Sequence, residues 1–108
     1  MAVLKVCYKQ GVRFDEAYYV GTHLPLAGDI MGPHGITSVE VIRVTSAADG
    51  SAAPYQVIFT AHFQSETSLR NALNDPRMAE AVNDIRNFYD GMPDFLVGEV
   101  IPLPALSA

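Results

Sequence analysis

The sequence predicts an α+β domain of the ferredoxin-like kind, a four-stranded antiparallel sheet with helices on one face. Three observations predict it. Segments of alternating apolar residues and segments of helical periodicity follow one another in the order β-α-β-β-α-β. The two strands that this topology makes central, residues 2–9 and 55–64, contain no proline and carry the strongest apolar faces. Residues 94–101, which fall on an edge, include Gly98 and stop at Pro102 and Pro104.

In the first strand, Leu4, Val6 and Tyr8 share one face. A loop at residues 10–13 leads to Asp15, a helix N-cap, with Phe14 before it placed to staple onto Tyr19. Tyr19, His23, Leu26 and Ile30 recur at helical spacing and share a face. Pro25 lacks the amide that would bond back to Gly21, so a kink or break is expected beside His23. The segment ends in the turn Gly32-Pro33-His34-Gly35.

Residues 36–45, rich in β-branched side chains, read as the second strand. Residues 46–54 form a small-residue loop expected to be mobile. The third strand alternates cleanly, with Tyr55, Val57, Phe59, Ala61 and Phe63 on one face. Ser65 caps a short helix carrying Leu69, Ala72 and Leu73. Asp75-Pro76 restarts a helix as N-cap and first-turn proline, with an apolar stripe of Met78, Val82, Ile85 and Tyr89.

The 108 residues suffice for one core, so a single domain over 1–108 is expected. With 49% apolar and 18% charged residues the chain is not of the disordered class. A net charge of -5 and only seven scattered Lys and Arg residues argue against a nucleic-acid partner. No apolar run is long enough to span a bilayer, and the first residues lack signal-peptide features. A cytoplasmic location follows as an expectation, with the lone Cys7 a buried thiol used in packing.

Helices cover only one face of such a sheet. The other face mixes apolar Val3, Cys7, Ile42, Val44 and Ile58 with Lys5, Glu40, Thr60 and His62. Exposing the apolar groups would cost about 1.5 to 3 kcal/mol each. A homodimer closed through this open face would remove that cost. The polar groups imply water or a ligand between the sheets, a pocket lined by Val3, Lys5, Glu40, Ile42, Ile58 and Thr60. The plainer alternative is a half-solvated sheet with Lys5 and Glu40 paired.

No motif of high specificity is present: no phosphate-binding glycine loop, no metal-ligand spacing and no nucleophile elbow. Catalytic candidates are His23 and His62, the histidines placed on ordered elements. An imidazole at a cavity mouth acts as general acid or base near neutrality. The structural alternatives are a His23 that bonds a carbonyl freed by Pro25 and a His62 that is an ordinary core histidine. Tyr19, one turn before His23, would orient it or the substrate. His34 lies in a turn and is expected to be solvated.

The run Phe14-Asp15-Glu16-Ala17-Tyr18-Tyr19-Val20-Gly21-Thr22-His23-Leu24-Pro25-Leu26 resembles the F-D-x-x-Y-Y-x-x-x-H-x-P-L pattern of the EthD family, named for ethyl tert-butyl ether degradation. The resemblance continues in Pro54-Tyr55, in His62-Phe63-Gln64-Ser65 and in Asn87-Phe88-Tyr89-Asp90. It implies the dimeric α+β barrel superfamily, whose members include isomerases, polyketide cyclases, cofactor-free monooxygenases and small lyases. It also implies a functional role for His23, with Tyr19 on the same helix.

The expected function is a cofactor-independent isomerase, cyclase or lyase acting on a small apolar or aromatic carbonyl compound, using neither metal nor cofactor. His23 would move a proton with help from His62, and Tyr19 and Thr60 would give hydrogen bonds. The alternative is a non-catalytic small-molecule-binding or accessory protein of a degradative oxygenase system. Haem bound by a cavity-facing histidine is a third.

Overall fold

The computed structural model describes residues 1–105. Strand β1 (Ala2–Lys9) leads into a helical segment built of α1 (Glu16–Tyr18), a π-helical turn (Tyr19–His23) and α2 (Leu24–Met31). After a 3-10 turn (Gly32–His34) come β2 (Ile36–Arg43), β3 (Tyr55–Phe63), α3 (Glu66–Leu73) and α4 (Met78–Asp84). A 3-10 turn (Ile85–Asn87) and edge strand β4 (Asp94–Glu99) complete the order. The strands run β2-β3-β1-β4 across the sheet, antiparallel throughout. This is the expected ferredoxin-like layer, with β1 and β3 central.

Register explains the core. Leu4 pairs with Ala61 and Val6 with Phe59, so the alternating apolar rows of the two central strands stand on one face under the helices. Leu4, Tyr8, Phe59, Ala61 and Phe63 are all buried there. Tyr8, Phe14, Tyr19, Phe88 and Tyr89 pack ring edge to ring face or tilted, and bind the first helical segment to the end of α4.

The caps follow the sequence. The Asp15 carboxylate accepts from the Tyr18 amide at 3.1 Å, and Phe14 packs on Tyr19 with ring centroids 5.0 Å apart. Ser65 accepts from the Ser68 amide at 3.1 Å. At Asp75-Pro76 the helix starts later than expected. Asp75 first closes a turn, its carboxylate accepting from the Arg77 amide and its carbonyl from the Met78 amide, each at 2.9 Å. Only then does α4 begin. The loop at residues 46–54 carries a turn of its own, in which the Ala47 amide donates to the Ser51 carbonyl at 2.8 Å and Asp49 accepts from the Ser51 amide.

The distortion expected at Pro25 is the π-helical turn. Without an amide at Pro25, the chain widens, and the Leu24 amide donates to the Tyr19 carbonyl, five residues back. The wider turn advances the inward face by about one residue. Tyr19, His23 and Ile30 are buried as expected, but Ala27 takes the inward place assigned to Leu26, which is only half-buried.

The opposite sheet face has the predicted composition. Val3 stands opposite His62, Lys5 opposite Thr60 and Cys7 opposite Ile58, while Glu40 and Ile42 flank Thr60 and Ile58 from β2. The irregularity in β2 falls between Ile36 and Ser38, upstream of these residues, and leaves their face unchanged. Lys5 does not pair with Glu40; its Nζ donates to Thr60 Oγ1 at 2.8 Å.

Candidate active site

A cavity of about 280 Å³ lies between the sheet and the helices. Its floor is Leu4, Val6 and Tyr8 of β1 with Phe59 of β3, and Phe95 and Val97 of the edge strand form its outer wall. Tyr19, His23, Leu24, Ala27 and Met31 cover it from the first helical segment. Leu73, Met78, Ala81, Val82 and Ile85 close it from the second. Ala27 and Ala81 put methyl groups where larger side chains would fill the space. The wall is carbon and methionine sulfur apart from one imidazole and the phenols of Tyr8 and Tyr19.

His23 is brought here by the π-helical turn and is 6% exposed. Its Nδ1–H donates to Asp84 Oδ2 at 2.9 Å. Asp84, the last residue of α4, also accepts from the Tyr18 hydroxyl at 2.6 Å and from Asn87 Nδ2 at 2.9 Å. Partial burial pushes the Asp84 carboxyl up, but these three donors outweigh it and hold the group below the usual carboxylate range. Burial pushes the His23 imidazole below its ordinary value, and Asp84 restores only part of the loss. At neutral pH the pair is therefore a neutral imidazole protonated on Nδ1 beside a carboxylate, which leaves Nε2 with its lone pair. The ring is packed between Phe88, 4.5 Å away between centroids, and Tyr19, stacked at 5.7 Å. Such a base has its tautomer and orientation fixed before any ligand arrives.

The cavity unites two of the residues singled out from sequence, His23 and Tyr19. It does not include the others. His62, Val3, Lys5, Glu40, Ile42, Ile58 and Thr60 stand on the open face, because alternation along β1 and β3 points them through the sheet, away from the helices. His23 and His62 therefore do not share a volume within one chain, and this cavity is lined by the helix-facing row, whereas the lining named from sequence belongs to the open face. His62 Nδ1 lies 3.2 Å from Ser38 Oγ. His34 is not merely solvated: its Nε2 meets Asp75 Oδ2 at 2.8 Å. Cys7 is buried, and burial pushes its thiol up, as suits packing.

Asp84 lies outside the sequence reading, and Tyr18 and Asn87, quoted there only within the family resemblance, were given no role at the site. A faint signal exists at the end of α4 and in the 3-10 turn after it, where a carboxylate at 84 and an amide at 87 border the buried Ala81, Ile85 and Phe88. Their pairing with His23, 61 positions away, has no local signature. Among the described residues, no three His, Cys, Asp or Glu side chains are grouped to hold a metal, and no helix is long and apolar enough to cross a membrane.

Comparison with known proteins extends the picture. The EthD domain family matches residues 12–92, which include the π-helical turn, His23 and Asp84. The chain belongs to the EthD family. An EthD-like protein of Ralstonia eutropha JMP134 superposes with a TM-score of 0.80 at 24% identity, covering 96% of this chain and 95% of that one. An EthD family protein of Bacillus halodurans C-125 superposes with a TM-score of 0.75 at 22% identity, covering 94% and 99%. A hydroxynitrile lyase of Passiflora edulis has the same fold at a TM-score of 0.62 and 10% identity, covering 94% and 95%. No curated protein matches the sequence. The EthD fold is thus the frame on which the His23–Asp84 pair is mounted.

Proposed function

We propose that this EthD protein is a cofactor-independent enzyme that moves a proton on a small apolar or aromatic carbonyl compound, with His23 as the base. The observation that carries this reading is a buried His23, held by Asp84 behind it, in the wall of a largely apolar cavity. A carbon next to a carbonyl would lose its proton to Nε2, Asp84 would stabilise the imidazolium, and the proton would return to the same or another carbon. Isomerisation and aldol-type cyclisation need this step. Lyase-type cleavage would use the same base to take an O–H proton, or the imidazolium to protonate the enolate left by the departing group. That a hydroxynitrile lyase is built on the same fold supports the lyase class as one that the scaffold accommodates.

Two copies are expected to pack through their open faces. Val3, Ile42 and Ile58 supply the apolar contact, and Lys5, Glu40, Thr60 and His62 supply polar groups between the sheets. In this arrangement His62 belongs to the dimer interface and leaves proton transfer to His23 alone. Sedimentation at micromolar concentration is expected to give a dimer; a monomer there would remove this part of the proposal.

The test of the reaction is a panel of enolisable ketones and β-keto acids, followed by proton NMR for deuterium uptake or loss of carbon dioxide. Wild-type protein is expected to turn over at least one compound, and His23→Ala to lose roughly a hundredfold or more in rate. Full turnover by His23→Ala ends the assignment of the base. Ligands that stabilise the protein with no turnover of any would favour the alternative, a binding or accessory protein of a degradative oxygenase system, for which the almost wholly apolar wall is the supporting observation.

A further inference from the structure

The cavity wall holds a second polar feature, which the His23–Asp84 pair does not use. The Tyr19 hydroxyl is buried and makes no well-formed hydrogen bond among the described residues, with the Tyr8 hydroxyl close enough to interact with it. The Tyr8 ring stands edge-on beside it with centroids 5.5 Å apart, and both side chains line the cavity. Even if one phenol turns to donate to the other, the remaining O–H still needs an acceptor. The surrounding wall is carbon and methionine sulfur, apart from the imidazole of His23. Buried donors left unmatched are rare in folded interiors and ask for an explanation. Burial pushes both phenols far above their ordinary range, so both keep their protons and each retains an O–H to donate.

We propose that Tyr8 and Tyr19 form an oxygen-binding end of the cavity, where their hydroxyls hold the carbonyl oxygen of an uncharged, ring-sized ketone beside His23. The proposal deepens the proton-transfer reading and rests on it for the chemistry, though not for the binding. A neutral imidazole whose Nδ1–H is given to Asp84 has only a lone pair left at Nε2. It can take a proton, but it cannot donate to a carbonyl oxygen. The phenols have the complementary property. Tyr19 and His23 stack with their rings 17° from parallel, which sets donor and base side by side. A substrate would thus place its oxygen at the phenols and its acidic C–H at Nε2. The C–H bond breaks as the Nε2–H bond forms, and the electron pair passes into an enolate whose oxygen the phenols hold. Return of the proton to carbon closes the cycle. Among the described residues no Lys or Arg lines the wall, so carboxylate and phosphate substrates are disfavoured, and the volume suits a mono- or bicyclic compound.

The test compares 1-indanone with indane, which match in shape and differ in the carbonyl. Binding is followed by NMR titration of the whole protein. Wild-type protein is expected to prefer 1-indanone by about tenfold or more, as one gained hydrogen bond allows. Tyr8→Phe and Tyr19→Phe are expected to shrink that preference to about threefold or less while changing indane binding by less than about twofold. The carbonyl stretch of bound 1-indanone should lie lower in wild-type protein than in either variant. Equal binding of the two ligands by wild-type protein overturns the proposal, as does a preference that survives in both variants. Equal weakening of both ligands in the variants overturns it too, since that marks a packing role alone. Deuterium exchange at the carbon next to the carbonyl separates the two readings. A preference without exchange in wild-type protein supports the oxygen site and counts against His23 as a base acting on this ketone. Exchange without a preference does the reverse.

Discussion

Replacing Asp84 with Asn tests the electrostatic centre of the site with little change of shape. The carboxylate accepts from Tyr18, Asn87 and His23 at 2.6, 2.9 and 2.9 Å, with its side chain only 12% exposed. An amide offers one acceptor oxygen and turns its NH2 towards groups that are donors. The Tyr18 hydroxyl can reverse and accept, but His23 Nδ1–H and Asn87 Nδ2 cannot both find an acceptor. At least one charge-assisted hydrogen bond is lost and the others become neutral, a cost of about 1–2 kcal/mol at this partly buried site, where solvent screens part of the effect. For a domain of this size the melting temperature should fall by about 10 °C. Urea denaturation gives the free energy directly, and NMR titration of His23 gives a second readout. Because Asp84 partly offsets the effect of burial on the imidazole, its removal should push the His23 pKa further down. A stability change under about 0.5 kcal/mol, below any range expected for a charged acceptor, together with an unmoved His23 titration, would refute the reasoning.

Tyr19→Phe removes a buried hydroxyl that makes no well-formed hydrogen bond, so it should leave stability unchanged or raise it by up to about 1 kcal/mol, read as a higher melting temperature. Ala81→Leu places a larger side chain in the cavity wall and is expected to abolish ligand-induced stabilisation in a thermal-shift assay while the free protein holds or gains stability. The folded chain holds protons less tightly than the unfolded chain at both His23 and Asp84. Unfolding therefore takes up protons, and stability rises with pH across both ranges. Denaturation curves should show stability lost as pH falls below about 6.5, the ordinary histidine value, with a further loss through the carboxylate range. His23→Gln should remove the first of these two steps.

Local patterns carried most of the fold. Alternation in β1 and β3 named the core rows, and Asp15, Ser65 and the proline-bounded edge strand were legible because caps and breakers act on their nearest neighbours. Pro25 announced a distortion, though not that it would be a π-helical turn and shift the inward face from Leu26 to Ala27. The site was legible only in part. His23 and Tyr19 lie on one helical segment, so spacing joins them. Asp84 reaches His23 across the packed helices, a contact set by tertiary structure. The mixed open face led to the expectation of a pocket between two copies. The cavity within one chain is a different one, on the helix side, where Ala27 and Ala81 are small, a deficit of volume that apolar patterning does not record.

The central claim is that His23 at neutral pH is an uncharged imidazole with its proton on Nδ1 and its Nε2 turned to a ligand-accepting cavity. Nitrogen-15 NMR of the His23 ring at pH 7, with and without 1-indanone, tests it directly. The account predicts a protonated Nδ1, a bare Nε2, and a shift of the Nε2 resonance when the ketone binds. An imidazolium, or the opposite tautomer with the proton on Nε2, contradicts it.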